Sequence, residues 1–504
     1  MKRSWFDLSY EKLVSCNMGE IIPVSIKETY PNDTWKQESV ALIRTLPLLK
    51  PLMHRVNAQL IHMFVPKRIV WTDYPDFITG GEDGTSEPVY PKIEVPVGGF
   101  PVGSLAHHLG VTPGEGAGEL VSALPFRAVA LCYNHWFRNQ FLVAPLNVSF
   151  ASGLDTTTNT DLMMAMWEKD FYTTLAPEPQ LGDDTVLPFV GNAPVKGISG
   201  FSANTYTNAG NAGGTWYDAD GAVPASPSNW SGSINGTTGR EIRIQGDNTT
   251  KEPLVYADLS GAAGISIIQQ RISNYMQRFK ENKSMYGAEY KDYLRSLGVR
   301  FSDATLQIPQ RLGTDSSVMQ FSEVLATAQS EGIEIGDMKG HGISGVKTKG
   351  FKTWFEESGF VISFLVVRPK TVYMQAMDPM WFYETKYDEW QPGFEHVGQA
   401  EVKNKQIRLG HTQPEGILGW GTRFDHLRYS ENMVAGEFYS TENDWHMARD
   451  IPTNAALNAS LVTANPTDRI YPVDRRLADQ LKVKMIHKIH AKRLISPDTK
   501  SFLR

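Results

Sequence analysis

Phe360-Val361-Ile362-Ser363-Phe364-Leu365-Val366-Val367 is the stretch that decides the fold. Its aromatic and β-branched residues favour a strand, and apolar side chains fall on both faces of it. A strand of that kind is stable only between two covering layers, so it reads as the buried centre of a sheet. Trp354 and Phe355 precede it across a Glu356-Glu357-Ser358-Gly359 turn.

Working outward, residues 20–75 repeat the strand signal. Glu20-Ile21-Ile22-Pro23-Val24-Ser25-Ile26 runs into the turn-like Pro31-Asn32-Asp33, and Val40-Ala41-Leu42-Ile43 follows. The apolar run from Arg55 to Val65 is closed by Pro66, which cannot donate to a ladder. Two segments read as helices. After Pro125, Phe126, Val129, Tyr133, Trp136 and Phe137 share one face. After Gly264, Ile265, Ile268, Ile272, Tyr275, Met276 and Phe279 do the same and are expected to face a core. Residues 191–250 differ: Gly (11) and Ser/Thr/Asn (20) fill over half of them and only seven are charged. Such a stretch buries little apolar area, yet it carries Trp216, Tyr217, Trp230 and the alternating Glu241-Ile242-Arg243-Ile244. It reads as an excursion inserted into the main domain. Strands at both ends, with helices and the excursion between them, describe a mainly β sandwich or jelly roll with enlarged loops.

The totals narrow the function. The 504 residues carry 49 basic and 55 acidic groups, a net charge of −6, so a uniformly basic nucleic-acid coat is excluded and any such contact needs a local patch. Cys16 and Cys132 are too few for a disulfide scaffold. The Met1-to-Asp7 start has no apolar stretch of a secretory signal, and no run of 18 apolar residues suggests a membrane span.

Lys169-Asp170-Phe171-Tyr172-Thr173-Thr174-Leu175-Ala176-Pro177-Glu178-Pro179-Gln180-Leu181-Gly182 resembles a segment of gokushovirus-type microvirus major capsid proteins. In these an Asp-aromatic-aromatic-Thr motif leads into a Pro-x-Pro-Gln-x-Gly-like turn. Asn32-Asp33-Thr34, Phe64 to Trp71, Tyr286 to Tyr290, Asp303 to Gly313, Thr385 to Asp388, Asn443 to Asp450 and Pro466 to Ile470 resemble the same family in the same order. The resemblance covers most of the chain. It implies an eight-stranded antiparallel jelly roll of viral capsid type, with large loop insertions containing some α-helix, as a single capsid domain over residues 1–504. Residues 185–260 would be an inserted surface protrusion at a threefold axis. The implied function is structural and not enzymatic: a T=1 icosahedral shell of sixty copies around circular single-stranded DNA, with protrusions for host attachment. Implied partners are a small basic DNA-binding protein, an internal scaffolding protein, a pilot protein and a host surface receptor. Assembly in the host bacterial cytoplasm and residence in the virion follow, with no membrane insertion and no cofactor. The insertion has no family sequence that aligns with it, and the chain beyond 475 is unusually basic.

That basic C-terminal tail, 475–504, supplies the candidate nucleic-acid contacts: Arg475, Arg476, Lys482, Lys484, Lys488, Lys492 and Arg493, against the lone acid Asp479 up to Arg493. Such a patch can neutralise phosphates and release counterions. Arg271 and Arg278, two turns apart on the second helix, are candidates for a subunit interface or DNA. Trp216, Tyr217 and Trp230 are candidates for a host-facing surface. Metal sites are weakly indicated: Cys132-x-x-His135 lacks a second pair, His487-x-x-His490 would share a face only on a helix, and His107-His108 stands alone. Adjacent carboxylates Glu356/Glu357 and Asp388/Glu389 would diverge on a strand, and no Gly-x-Ser-x-Gly elbow occurs. The rival readings are a carbohydrate-binding or carbohydrate-active β-sandwich and a lectin-like adhesin.

Overall fold

The computed structural model describes residues 3–183, 185, 195–196, 198–202, 205–208, 216–217, 241–245, 256–257, 267–300, 302–303, 305–325 and 338–496. The chain divides into two compact units, Met1–Leu181 with Glu281–Arg504, and Gly182–Lys280.

The larger unit is built on two antiparallel sheets. In chain order the strands are β1 (Ser4–Asp7), β2 (Tyr10–Cys16), β3 (Glu20–Thr29), β4 (Thr34–Thr45), β5 (Val56–Pro66), β6 (Met163–Met164), β7 (Gln310–Val318), β8 (Gln320–Leu325), β9 (Met338–Lys347), β10 (Phe351–Trp354), β11 (Gly359–Pro369) and β12 (Leu481–Arg493). One sheet has seven strands in the order β1-β12-β4-β9-β8, with β2 also on β12 and β10 also on β4. The other has five, ordered β7-β5-β11-β3-β6. Taking only the strands of seven residues or more leaves β2-β12-β4-β9 facing β3-β11-β5-β7. Successive long strands alternate between sheets, except for the step from β5 to β7. That connectivity is a jelly roll. The short strands extend its edges.

The packing explains why the 360–367 run has no polar face. Leu365 and Val367 turn inward and pack with Ile22, Val24, Ala58, Leu60, Val483 and Met485 between the sheets. Phe360, Ile362, Phe364 and Val366 turn the other way, onto a second core. That core is completed by the long excursion between β5 and β6. Its helix α1 (Leu124–Cys132), continued by a wider turn at Tyr133–Phe137, contributes Phe126, Val129 and Tyr133. Each fully buried Val, Leu, Ile or Phe contributes about 1.5–3 kcal/mol. Arg127 on the same helix is 0% exposed and is matched by Asp155 at 2.8 Å and by the carbonyls of Val70 and Ala151 at 3.2 and 2.9 Å.

A third core surrounds the Asp170-Phe171-Tyr172-Thr173 motif. Asp170 accepts from the Thr173 amide at 2.8 Å and from the Tyr373 hydroxyl at 2.8 Å, while the Tyr172 hydroxyl donates to the Gln406 carbonyl at 3.0 Å. Tyr172 and Tyr373 pack with Leu175, Val402, Leu418 and Ile451. The motif therefore pins the long C-terminal excursion.

The smaller unit contains a four-stranded sheet, Thr205–Asn208, Ile198–Ser202, Glu241–Gln245 and Trp216–Tyr217 in that order, and a pair Val195–Lys196 with Tyr256–Ala257. Helix α2 (Ile267–Tyr286) follows. Its apolar stripe corrects the expectation of a core face: Ile268 is 68% exposed, Ile272 53% and Tyr275 71%. Helical periodicity reports which residues share a face, not whether that face is covered by the same chain.

Candidate nucleic-acid interface

The basic segment after residue 475 is not a free tail up to residue 493. Residues 481–493 form β12, in the interior of the seven-stranded sheet, paired along Leu481–Lys492 with Thr34–Thr45 of β4. Alternation then sorts its side chains. Leu481, Val483, Met485, His487, Ile489 and Ala491 point into the sandwich; Lys482, Lys484, Lys488 and His490 point out to solvent. His487 and His490 therefore diverge on opposite faces, which removes the shared-face metal pair considered from the sequence. His487 Nδ1 meets the Ser39 hydroxyl at 2.9 Å inside; His490 lies 3.8 Å from Asp7 outside.

Register brings other cations beside the strand lysines. Lys482 lies opposite Arg44, which lies opposite Ile343. Lys484 lies between Leu13 and Leu42. Lys488 lies opposite Glu38, and His490 opposite Lys36, which is itself opposite Lys352. Lys492 sits between Trp5 and Thr34, with Trp354 on the far side of Thr34. The outward face is thus a cationic lattice bordered by two half-exposed tryptophans, each 53% exposed. Three carboxylates interrupt it. Glu11 pairs with Lys484 at 2.9 Å, Glu38 with Lys347 at 3.0 Å, and Asp7 lies beside His490. The Lys347 ammonium beside Glu38 holds its carboxyl below the usual carboxylate range. Fixed cations at strand spacing, with flanking aromatic rings, suit a flexible polyanion with stackable bases.

The remaining candidates divide. Arg475 is a structural clamp: it contacts Asp468 at 2.6 Å, Asn465 at 2.9 Å and the Pro466 carbonyl. Arg493 lies 3.0 Å from Asp33, donates to the Glu28 carbonyl at 2.6 Å and sits over the Trp35 ring at 5.5 Å. Arg476 is exposed outside the strand, its amide donating to Asp474. Arg271 and Arg278 are both exposed on α2, in the smaller unit. Trp216 and Tyr217 lie on a strand of that unit, and Trp230 lies outside the described residues. Lys36, Arg44, Lys347 and Lys352 were missed from the sequence. The outward alternation Lys36, Glu38, Val40, Leu42, Arg44 could have shown two of them had the strand been read beyond residues 40–43.

The other chemistry dissolves into structure. Cys132 is wholly buried, and burial pushes its thiol up. Glu357 binds Arg68 at 2.9 and 3.1 Å, and Asp388 accepts from the Thr385 amide at 2.7 Å. Among the described residues no helix is long and apolar enough to cross a membrane.

Comparison with known proteins supplies the family. Residues 1–500 match the family described as "Capsid protein (F protein)". The chain is 29% identical to the capsid protein VP1 of Bdellovibrio phage phiMH2K, covering 94% of this chain and 90% of that protein. It is 30% identical to the capsid protein VP1 of Spiroplasma virus 4, covering 88% and 85%. It is 25% identical to the capsid protein VP1 of Chlamydia phage 1, covering 95% and 91%. The jelly roll and these matches agree, and the chain belongs to the capsid protein (F protein) family of the microviruses.

Proposed function

We propose that the chain builds a T=1 icosahedral shell of sixty copies around circular single-stranded DNA, with the outward face of the seven-stranded sheet turned to the genome. The single observation that carries this orientation is the cationic lattice of Lys482, Arg44, Lys36, Lys352, Lys488 and Lys492 on one face of a protein with net charge −6. A small basic DNA-binding protein, an internal scaffolding protein and a pilot protein are the expected partners, with assembly in the bacterial cytoplasm.

Neighbouring copies need apolar contact surfaces. Met380 (56% exposed), Trp381 (68%) and Met433 (65%) border a 300 Å³ depression that also involves Phe171 and Tyr172. Exposed aromatic and methionine clusters of this kind are the usual anchors of subunit interfaces. Residues 185–260 form the host-facing protrusion in this reading, with Trp216, Tyr217 and Trp230 as its aromatic groups and Arg271 and Arg278 at an interface or on DNA.

The test is nuclease protection. Particles made with the scaffolding protein should protect single-stranded DNA, and particles deleted for 195–248 should assemble and protect DNA but lose host attachment. Particles that protect no DNA would contradict the orientation, and retained attachment would contradict the role of the protrusion.

A further inference from the structure

On the far side of the sandwich from that lattice, the outward face of the five-stranded sheet is not wholly covered. Ile61, Met63 and Val366 there form the floor of a cavity of about 430 Å³. Its walls are the Tyr133–Phe137 turn, residues 138–141, residues 166–175 and helix α3 (Tyr290–Ser296). All of these belong to the larger unit. The volume falls in the range of small-molecule sites, roughly 300–1,000 Å³.

The charge of the lining is one-sided. Arg138, Lys169, Arg295, Arg311 and Arg368 line the cavity, against Glu168 and Asp292, while a further cation, Lys291, is neutralised by Glu289 at 2.7 Å. The carboxylates are already shared. Glu168 accepts from Asn57 at 2.7 Å while standing 3.9 Å from Arg368 and 3.5 Å from Lys370. Asp292 accepts from Gln140 at 3.1 Å and lies 3.7 Å from Arg295. Arg138 spends its Nη1 on the carbonyls of Gln140 and Val143, neither of which carries charge. Burial depresses the Arg368 guanidinium, and Glu168 only partly offsets it. Lys169 and Arg311 reach the rim exposed. A cationic cavity in a partly desolvated setting favours an anion, most of all one with several acceptor oxygens.

The rest of the lining selects for more than inorganic anion. Trp136, Phe141 and Trp167 supply ring surface beside the cations, and Trp136 already has Lys291 and Arg295 against its ring at 5.6 and 5.8 Å. Gln59 and Asn139 add amide groups. Aromatic rings next to guanidinium groups are the surroundings in which a flat heterocycle stacks. We propose that this cavity binds a nucleotide, its phosphate held by Arg138 and Arg311 and its base against Trp136 and Phe141. The site is separate from the lattice on β12 and does not depend on the genome facing that sheet.

The test uses the full-length chain, with titration calorimetry at fixed ionic strength and dAMP, deoxyadenosine and inorganic phosphate as probes. Saturable dAMP binding is expected, with deoxyadenosine and phosphate each weaker. Removing a phosphate partner in Arg311→Gln should weaken dAMP at least about tenfold, since 1.4 kcal/mol is one decade. The Arg311 side chain is exposed, so the fold should survive; the unfolding midpoint checks it. Lys482→Gln, on the other sheet, should leave dAMP binding unchanged. Competition by a short oligodeoxyadenylate would assign the ligand to a strand, and its failure to compete would assign it to free nucleotide. Absence of saturable dAMP binding, or equal binding by Arg311→Gln and the parent, would overturn the proposal.

Discussion

Lys484 of β12 and Glu11 of β2 form an ion pair at 2.9 Å across the edge of the seven-stranded sheet. Its consequence is that the outward lysines of one strand are not equivalent. Lys484 is already neutralised by a neighbour, whereas Lys482 lies beside Arg44 and Lys492 beside Trp5 and Thr34. A polyanion gains most from cations that have no carboxylate to give up.

Lys482→Gln/Lys492→Gln should lower the DNA content of particles and flatten its salt dependence, while empty shells still form. Lys484→Gln alone should do little to either. The ratio of nucleic acid to protein in purified particles reads this out, and equal losses in both variants would show that local pairing does not matter.

Arg127 and Asp155 give a stability prediction. Both side chains are almost fully buried, and the guanidinium serves three acceptors. Arg127→Leu leaves a buried carboxylate without its cation, which costs about 3–5 kcal/mol. Arg127→Lys should restore little, because a single ammonium cannot reach all three acceptors. Denaturant unfolding of the unassembled chain measures both, and a loss below about 1 kcal/mol, the range of an exposed pair, would contradict the account.

Acid sensitivity follows from two buried histidines. His62 Nδ1 meets the Ser363 hydroxyl at 2.7 Å and His487 Nδ1 meets Ser39 at 2.9 Å, with Gln37 joining the two serines. Burial pushes His62 down to about 3 and His487 to about 4. An unfolded histidine titrates near 6.5, so below that pH the unfolded chain takes up protons that the folded chain refuses. Their contribution is whole above about pH 6.5, declines as pH falls, and is lost by about pH 3–4. Thermal unfolding at pH 7 and pH 5 should show a fall that is smaller in His62→Gln/His487→Gln, and an equal fall would remove the histidines as its cause.

Gly359 opens β11 where a Cβ would lie 2.3 Å from the Phe64 ring and 2.6 Å from the Val65 carbonyl oxygen. Gly359→Ala must shift a central strand or a core ring, at a cost of about 1–3 kcal/mol. The unfolding free energy measures it, and an unchanged value would mean that β5 and β11 are looser than their register implies.

Phe360–Val367 was legible as a central strand because covering layers are the only arrangement that satisfies an apolar run of that length. The placement of β12 was not. Lys482 to Lys492 read as a basic run because the strand alternates Val, Met, Ile and Ala with lysine, and charge is easier to see in sequence than a period of two. Its partner β4 lies more than 400 residues earlier, so no local signal shows that Lys36 and Arg44 join the patch. The stripe on α2 shows the opposite problem: Ile268, Ile272 and Tyr275 have the spacing of a buried face and are exposed. The cavity beside Trp136 draws its lining from stretches scattered between residues 59 and 462, and nothing in any one of them signals it.

Assembly tests the central claim most directly. Sedimentation velocity of the chain expressed with its scaffolding protein should give a single megadalton species that electron microscopy shows as closed icosahedral shells. A folded chain that remains solitary, or stops at a small oligomer under conditions where virions persist, would contradict it.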